Sequence, residues 1–121
     1  YAMAHAGRLD LLDEDLFDAG TSVSGCGPAF AYLFADALAK GGEDCGLSYE
    51  HATALASQML LGAALMLQED GRSPDALREA VCSKGGSTIE GGKVMWEKDL
   101  AGSVRDAVKA SYQRNQELGK S

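Results

Sequence analysis

No apolar run in this chain approaches the roughly 20 residues of a membrane-spanning helix. No basic segment followed by an apolar one marks a secretory signal either, so no membrane association is expected. Basic residues are few. Eleven Lys and Arg stand against 18 Asp and Glu, and the net charge of −7 repels phosphate, which excludes nucleic acid as a partner. Cysteine is also sparse, and Cys26, Cys45 and Cys82 form no C-x-x-C pair. An odd number of scattered cysteines reads as reduced thiols and a cytoplasmic protein. His5 and His51 add no metal-type spacing, so no metal site is expected. Strand alternation is missing as well; "RLDLL", residues 8–12, is the one short candidate. The chain opens on Tyr1 rather than methionine, which suggests residues upstream.

What is present reads as all-α, about five helices in a chain of 121 residues, long enough for one domain. The early acidic residues Asp10, Asp13, Glu14, Asp15 and Asp18 have no histidine, basic residue or glycine loop beside them. They read as a solvated connector or helix face rather than paired catalytic carboxylates. In "SVSGCGPAFAYLFADALAKGG", Gly25 and Gly27 loosen the chain and Pro28 suits a first helical turn. Phe30, Leu33, Phe34, Ala37 and Leu38 then make one apolar stripe, and Gly41 and Gly42 can end the helix. The G-x-G is not a dinucleotide fingerprint, because no third glycine follows and no strand precedes it.

Ser48 is a good N-cap, with Glu50 in the first turn, and predicts a helix from Tyr49 to Glu69. Its stripe of Ala52, Leu55, Ala56, Met59, Leu60, Ala63, Met66 and Leu67 is widened by Leu61, Ala64 and Leu65. A helix apolar nearly all round must be covered on every side. A chain of this length cannot easily cover it alone, so burial against a second copy is expected. Ser73-Pro74 marks another start, for a short helix to about Val81. A helix over Thr88 to Lys98 follows, weakened by Gly91 and Gly92. The last runs from an N-cap at Asp99 to about Leu118, with Val104, Ala107, Val108, Ser111, Asn115 and Leu118 on one side.

Between two of these helices lies "CSKGGSTIEGG", Cys82 to Gly92. Ser83, Lys84, Gly85, Gly86 and Ser87 read as a loop just ahead of Thr88. Glycines let a backbone approach a ligand closely. Successive inward N–H groups and a following helix N-terminus then favour an anion. A carboxylate or phosphate site and a plain interhelical loop capped by Ser87 or Thr88 are both consistent with these residues.

"SGCGPAFAYLFADALAKGGEDCGLS", "LLGAALML" and "SKGGSTIEGG", in this order and spacing, resemble the C-terminal dimerisation domain of pyrroline-5-carboxylate reductase. That family reads S-G-S-G-P-A at the first site and S-P-G-G-[AT]-T-I at the second. An A-x-Q-x-x-L-G-A-A-like pattern spans Ala56 to Ala64. The resemblance runs from about Leu12 to Gly119.

The resemblance implies an all-α helical bundle domain forming an interlocked homodimer. Residues 1–18 would be the end of a linker from an N-terminal Rossmann domain, and 19–121 the helical dimerisation and substrate-binding domain. The implied enzyme is an oxidoreductase that reduces 1-pyrroline-5-carboxylate to L-proline in proline biosynthesis. A hydride passes from NADPH or NADH to the imine carbon, and nitrogen is protonated. By resemblance, Ser83, Lys84, Gly85, Gly86 and Ser87 hold the substrate carboxylate through backbone N–H groups, and Thr88 orients the ring nitrogen. Ser24, Gly25, Cys26, Gly27 and Pro28 would lie toward the nicotinamide, with most of the cofactor held by the N-terminal domain. This sequence departs from the family at Cys26 for serine, at Lys84 for proline, and at "EKDL" for an E-x-G-G-F turn. The other reading is a non-catalytic helical dimerisation or carboxylate-binding module. A strand followed by G-x-G-x-x-[GA] in the coding sequence upstream of Tyr1 distinguishes the two.

Overall fold

A computed structural model describes residues 16–84 and 86–119 of the chain. The early acidic residues Asp10, Asp13, Glu14 and Asp15, the "RLDLL" candidate and Gly85 lie outside the described residues. Among the described residues there are six helices and no strand, so the fold is all-α. They are α1 (Phe17–Ser24), α2 (Gly27–Asp44), α3 (Tyr49–Glu69), α4 (Pro74–Lys84), α5 (Gly86–Glu97) and α6 (Leu100–Gly119). The chain divides into two compact units, Tyr1–Tyr32 with Asp99–Ser121, and Leu33–Lys98.

In the first unit α1 packs along α6. The sequence signals do not announce α1, which begins within the stretch read as linker. Its residues, "FDAGTSVS", carry a glycine and two β-branched side chains, and an eight-residue helix is marginal in isolation. Tertiary contact supplies what propensity does not. Ser22 is wholly buried, donates to the Asp18 carbonyl at 2.8 Å, and accepts from the Asn115 side-chain amide at 3.1 Å. On α6, Ala107, Val108, Ser111 and Asn115 are half-buried on the predicted side, while Val104 and Leu118 at its ends are exposed. Asp99 caps α6 as expected, accepting from the Gly102 N–H at 3.1 Å. It does so at φ 53°, a left-handed conformation that Asp tolerates better than most side chains.

In the second unit, α2 runs past Gly41 and Gly42, the expected terminators, and stops at Asp44. Gly46 ends it. At φ 109° it takes a conformation closed to L side chains. The Leu47 N–H bonds to the Gly42 carbonyl at 3.0 Å and the Gly46 N–H to the Glu43 carbonyl at 2.9 Å. This pair of bonds is the Schellman motif. Gly42 serves packing instead. A Cβ there would stand 3.0 Å from that of Ala52, so its absence lets α3 approach. Ala39, Ala52 and Ala56 are buried.

α3 spans the predicted Tyr49–Glu69, and the Ser48 hydroxyl accepts from the His51 N–H at 3.1 Å. Beyond its first turns the apolar girth stays open: Leu55, Met59, Leu61, Leu65, Met66 and Leu67 are all exposed. The predicted α2 stripe is also largely bare, with Leu33 70 % exposed. α4 begins at Pro74, with the Ser73 hydroxyl accepting from Ala76 N–H at 3.1 Å. It runs a turn beyond the predicted end at Val81.

Candidate functional site

The described residues of the stretch read as a loop are helical. Ser83 and Lys84 close α4, and Gly86, Ser87 and Thr88 form the first turn of α5. One residue, Gly85, separates the helices in sequence. Gly86 does not lie in an irregular nest; its backbone is helical. What survives is the helix-terminus part of the argument. The first N–H groups of a helix have no partner inside it. Among the described residues, none from Gly86, Ser87 or Thr88 reaches a carbonyl outside α5. A Cβ on Gly86 would meet no atom within 4 Å, so the approach to these N–H groups is open. The side chains of Ser87 and Thr88 are exposed beside them. N–H groups, hydroxyls and the positive end of the helix dipole together suit a carboxylate or phosphate.

Lys84 and Ser83 face different work. Lys84 sits in the last turn of α4, where a cation offsets the negative helix end. Ser83 donates to the Ala80 carbonyl at 3.1 Å, satisfying its own helix. A proline at 84 would remove an N–H from α4 and push Ser83 out of helical geometry. The lysine is thus compatible with an α4 that runs to residue 84.

Ser24, Gly25, Cys26, Gly27 and Pro28 lie in the first unit, where they join α1 to α2. Their polar groups are mostly engaged locally. Ser24 donates to the Gly20 carbonyl at 3.0 Å. The N–H groups of Gly25 and Cys26 both bond to the Thr21 carbonyl, at 2.7 and 3.1 Å. A Cβ on Gly25 would stand 2.9 Å from that same oxygen, which explains the glycine. The Gly25 and Cys26 N–H groups are thus spent on closing α1, and Pro28 has none. Among the described residues there is no strand–turn–helix unit to cradle dinucleotide phosphates, so these residues do not fit that part of a nicotinamide cofactor.

Sequence reasoning missed one feature of the second unit. The Arg78 guanidinium on α4 lies over the Trp96 ring on α5, 5.6 Å from its centroid. The signal for it was Gly92, four residues before Trp96. Gly92 is buried, and a Cβ on it would stand 3.2 Å from the ring.

The sequence profile of pyrroline-5-carboxylate reductase dimerisation matches residues 14–118. The chain belongs to the pyrroline-5-carboxylate reductase dimerisation family. It is 42 % identical over 115 residues to a pyrroline-5-carboxylate reductase of Arabidopsis thaliana, covering 95 % of this chain and 42 % of the relative. It is 41 % identical over 112 residues to that of Aquifex aeolicus, covering 93 % and 42 %. Among solved structures, the Plasmodium falciparum pyrroline carboxylate reductase with NADP bound superposes with a TM-score of 0.84. The identity is 30 %, over 89 % of this chain and 43 % of that one. The chain thus spans about two fifths of the length of the curated reductases it matches. In this chain the S-K-G-G-S-T-I stretch and the exposed girth of α3 both lie within the residues matched to the dimerisation family.

Proposed function

We propose that this chain is the dimerisation and substrate-binding part of a pyrroline-5-carboxylate reductase. The observation that carries the reading is the start of α5. There a side-chain-free Gly86, two hydroxyls and unpartnered N–H groups coincide with the family's S-x-G-G-x-T-I motif. The substrate is 1-pyrroline-5-carboxylate and the product L-proline. Gly86, Ser87 and Thr88 receive the carboxylate, joined by Ser83 to Gly85 at the edge of the site. The Thr88 hydroxyl orients the ring nitrogen. NADP or NAD supplies the hydride and is held mainly outside this chain, by an N-terminal Rossmann domain that residues 1–18 would join to the helical part. Ser24 to Pro28 stand toward the nicotinamide.

The functional unit in this reading is a homodimer. The support is energetic. Leu55, Leu61, Leu65 and Leu67 are each at least 42 % exposed along one helix. Fully burying a leucine stabilises by about 1.5–3 kcal/mol, and about half of each is still open, so a second copy covering these four gains about twice that. Three free cysteines suit a reducing, cytoplasmic setting. Among the described residues no helix is long and apolar enough to cross a membrane.

The test uses the natural protein that carries this chain. Incubated with NADPH or NADH and 1-pyrroline-5-carboxylate, it should oxidise the nucleotide and release L-proline in equal amounts. It should also sediment as a dimer or larger at micromolar concentration. A protein that dimerises and binds a carboxylate without turnover is the non-catalytic module; a stable monomer removes the homodimer.

A further inference from the structure

We propose that Arg78 and Trp96 form a clamp that positions the start of α5, and with it the carboxylate site. This rests on the substrate reading above. α4 ends at Lys84 and α5 begins at Gly86. Were the two helices one rod, 18 residues would set Arg78 and Trp96 about 27 Å apart. They are in contact, with the guanidinium 5.6 Å from the ring centroid. The two helices therefore do not continue as one rod but fold back on one another, and the clamp is a side-chain contact that fixes the fold-back.

Both halves of the clamp are held. Arg78 Nη2 bonds to Asp75 Oδ1 at 2.7 Å, one turn earlier on α4, which orients the guanidinium. Trp96 leans toward the N-terminus of α5, as long helical side chains do, and rests on Gly92, where a Cβ would stand a tight 3.2 Å from the ring. The ring thus has one seat on its own helix and one cation from the other.

The lever is long. Trp96 lies ten residues beyond Gly86, about 15 Å along the axis. A slip of about 3 Å there would tilt the helix by about 11°, at the edge of the roughly 10–20° that a working site tolerates. N–H groups at a helix start point along its axis, so the tilt changes where Gly86, Ser87 and Thr88 aim. Arg78 and Trp96 are positioning residues; neither touches the substrate.

The experiment compares Trp96→Leu and Arg78→Met with the ring-preserving Trp96→Phe, all in the natural protein. Removing an exposed cation–aromatic contact should raise KM for 1-pyrroline-5-carboxylate about two- to fivefold. KM for the nucleotide and the sedimentation coefficient should not move, and Trp96→Phe should recover most of the loss. Trp96 is the only tryptophan of this chain, so it also reports directly. The emission difference between wild type and Trp96→Phe should change when L-proline is added. A wild-type KM in Trp96→Leu, an equal rise in nucleotide KM, or a Trp96 emission that ignores L-proline each overturns the clamp. If Trp96→Leu disturbs assembly, the emission measurement on wild-type protein decides alone. Gly86→Val separates the two ideas: wild-type kinetics there sinks the substrate reading, whereas a defect there beside a normal Trp96→Leu sinks only the clamp.

Discussion

The side-chain amide of Asn115 donates to the Ser22 hydroxyl at 3.1 Å, tying α6 to α1. Ser22 is wholly buried and its proton is already given to the Asp18 carbonyl. The amide therefore fills the acceptor side of an oxygen that water cannot reach. Asn115→Ala should cost about 1–3 kcal/mol, the penalty for an unsatisfied buried group. Ser22→Ala should cost less, because half-buried Asn115 can turn to water. Urea unfolding at one fixed protein concentration, needed if the species is a dimer, measures both. The reverse order would show that the bond is incidental.

Adjacent glycines on α2 should respond with opposite signs. Gly42→Ala places a Cβ 3.0 Å from Ala52 Cβ, both on helices that cannot shift cheaply, and should destabilise by about 1–3 kcal/mol. Gly41→Ala meets nothing within 4 Å and sits inside a helix, so it should stabilise by up to about 1 kcal/mol. Gly46→Ala, at φ 109°, should cost about 1–3 kcal/mol. Thermal unfolding of the three variants ranks them in one experiment.

At the candidate site, Gly86→Val has open space around its side chain, so folding should survive. Its kcat/KM should fall severely if a carboxylate approaches the backbone there. Thr88→Ala should lose about 0.5–1.5 kcal/mol in kcat/KM, or more if its hydrogen bond strengthens in the transition state. Lys84→Gln should change KM by less than about 1 kcal/mol, since an exposed charge is screened. A hundredfold loss in Lys84→Gln would mean that the lysine, not the helix start, holds the substrate.

Asp36 pairs with Lys40 on its own helix at 2.7 Å and accepts from the Tyr49 hydroxyl at 2.5 Å, and the second contact links α2 to the start of α3. The Lys40 bond, then the Tyr49 bond, hold its carboxyl below the usual aspartate range. The same contacts raise Lys40 and Tyr49, each chiefly through its bond to Asp36. A depressed acid contributes stability above its unfolded pKa, about 3.9, and loses it as pH falls through the folded value. A raised Tyr or Lys contributes below its unfolded pKa, about 10, and loses it as pH rises through the folded value. Asp36→Asn should therefore flatten both the acid and the alkaline limb of a stability–pH profile and leave its slope near neutrality unchanged. An unaltered acid limb would count against the cluster.

The parts of this protein written locally in the chain were legible without its structure. Ser48 and Ser73-Pro74 mark the starts of α3 and α4 because a cap bonds within three residues of itself. The girth of α3 follows from which residues recur at helical spacing, and its exposure in the folded chain accords with that pattern. The S-K-G-G-S-T-I stretch located the candidate site. Tertiary structure decided everything that needs a neighbour distant in sequence. Propensity alone does not hold α1; α6 and the Asn115 bond do. Any of Gly41, Gly42 and Gly46 could have ended α2. The choice went to the one the Schellman bonds could close, while Gly42 was taken up by the approach of Ala52. The loop expected at Ser83 to Ser87 became the end of α4 and the start of α5, and Arg78 meets Trp96, a pairing that no local rule predicts for residues 18 positions apart.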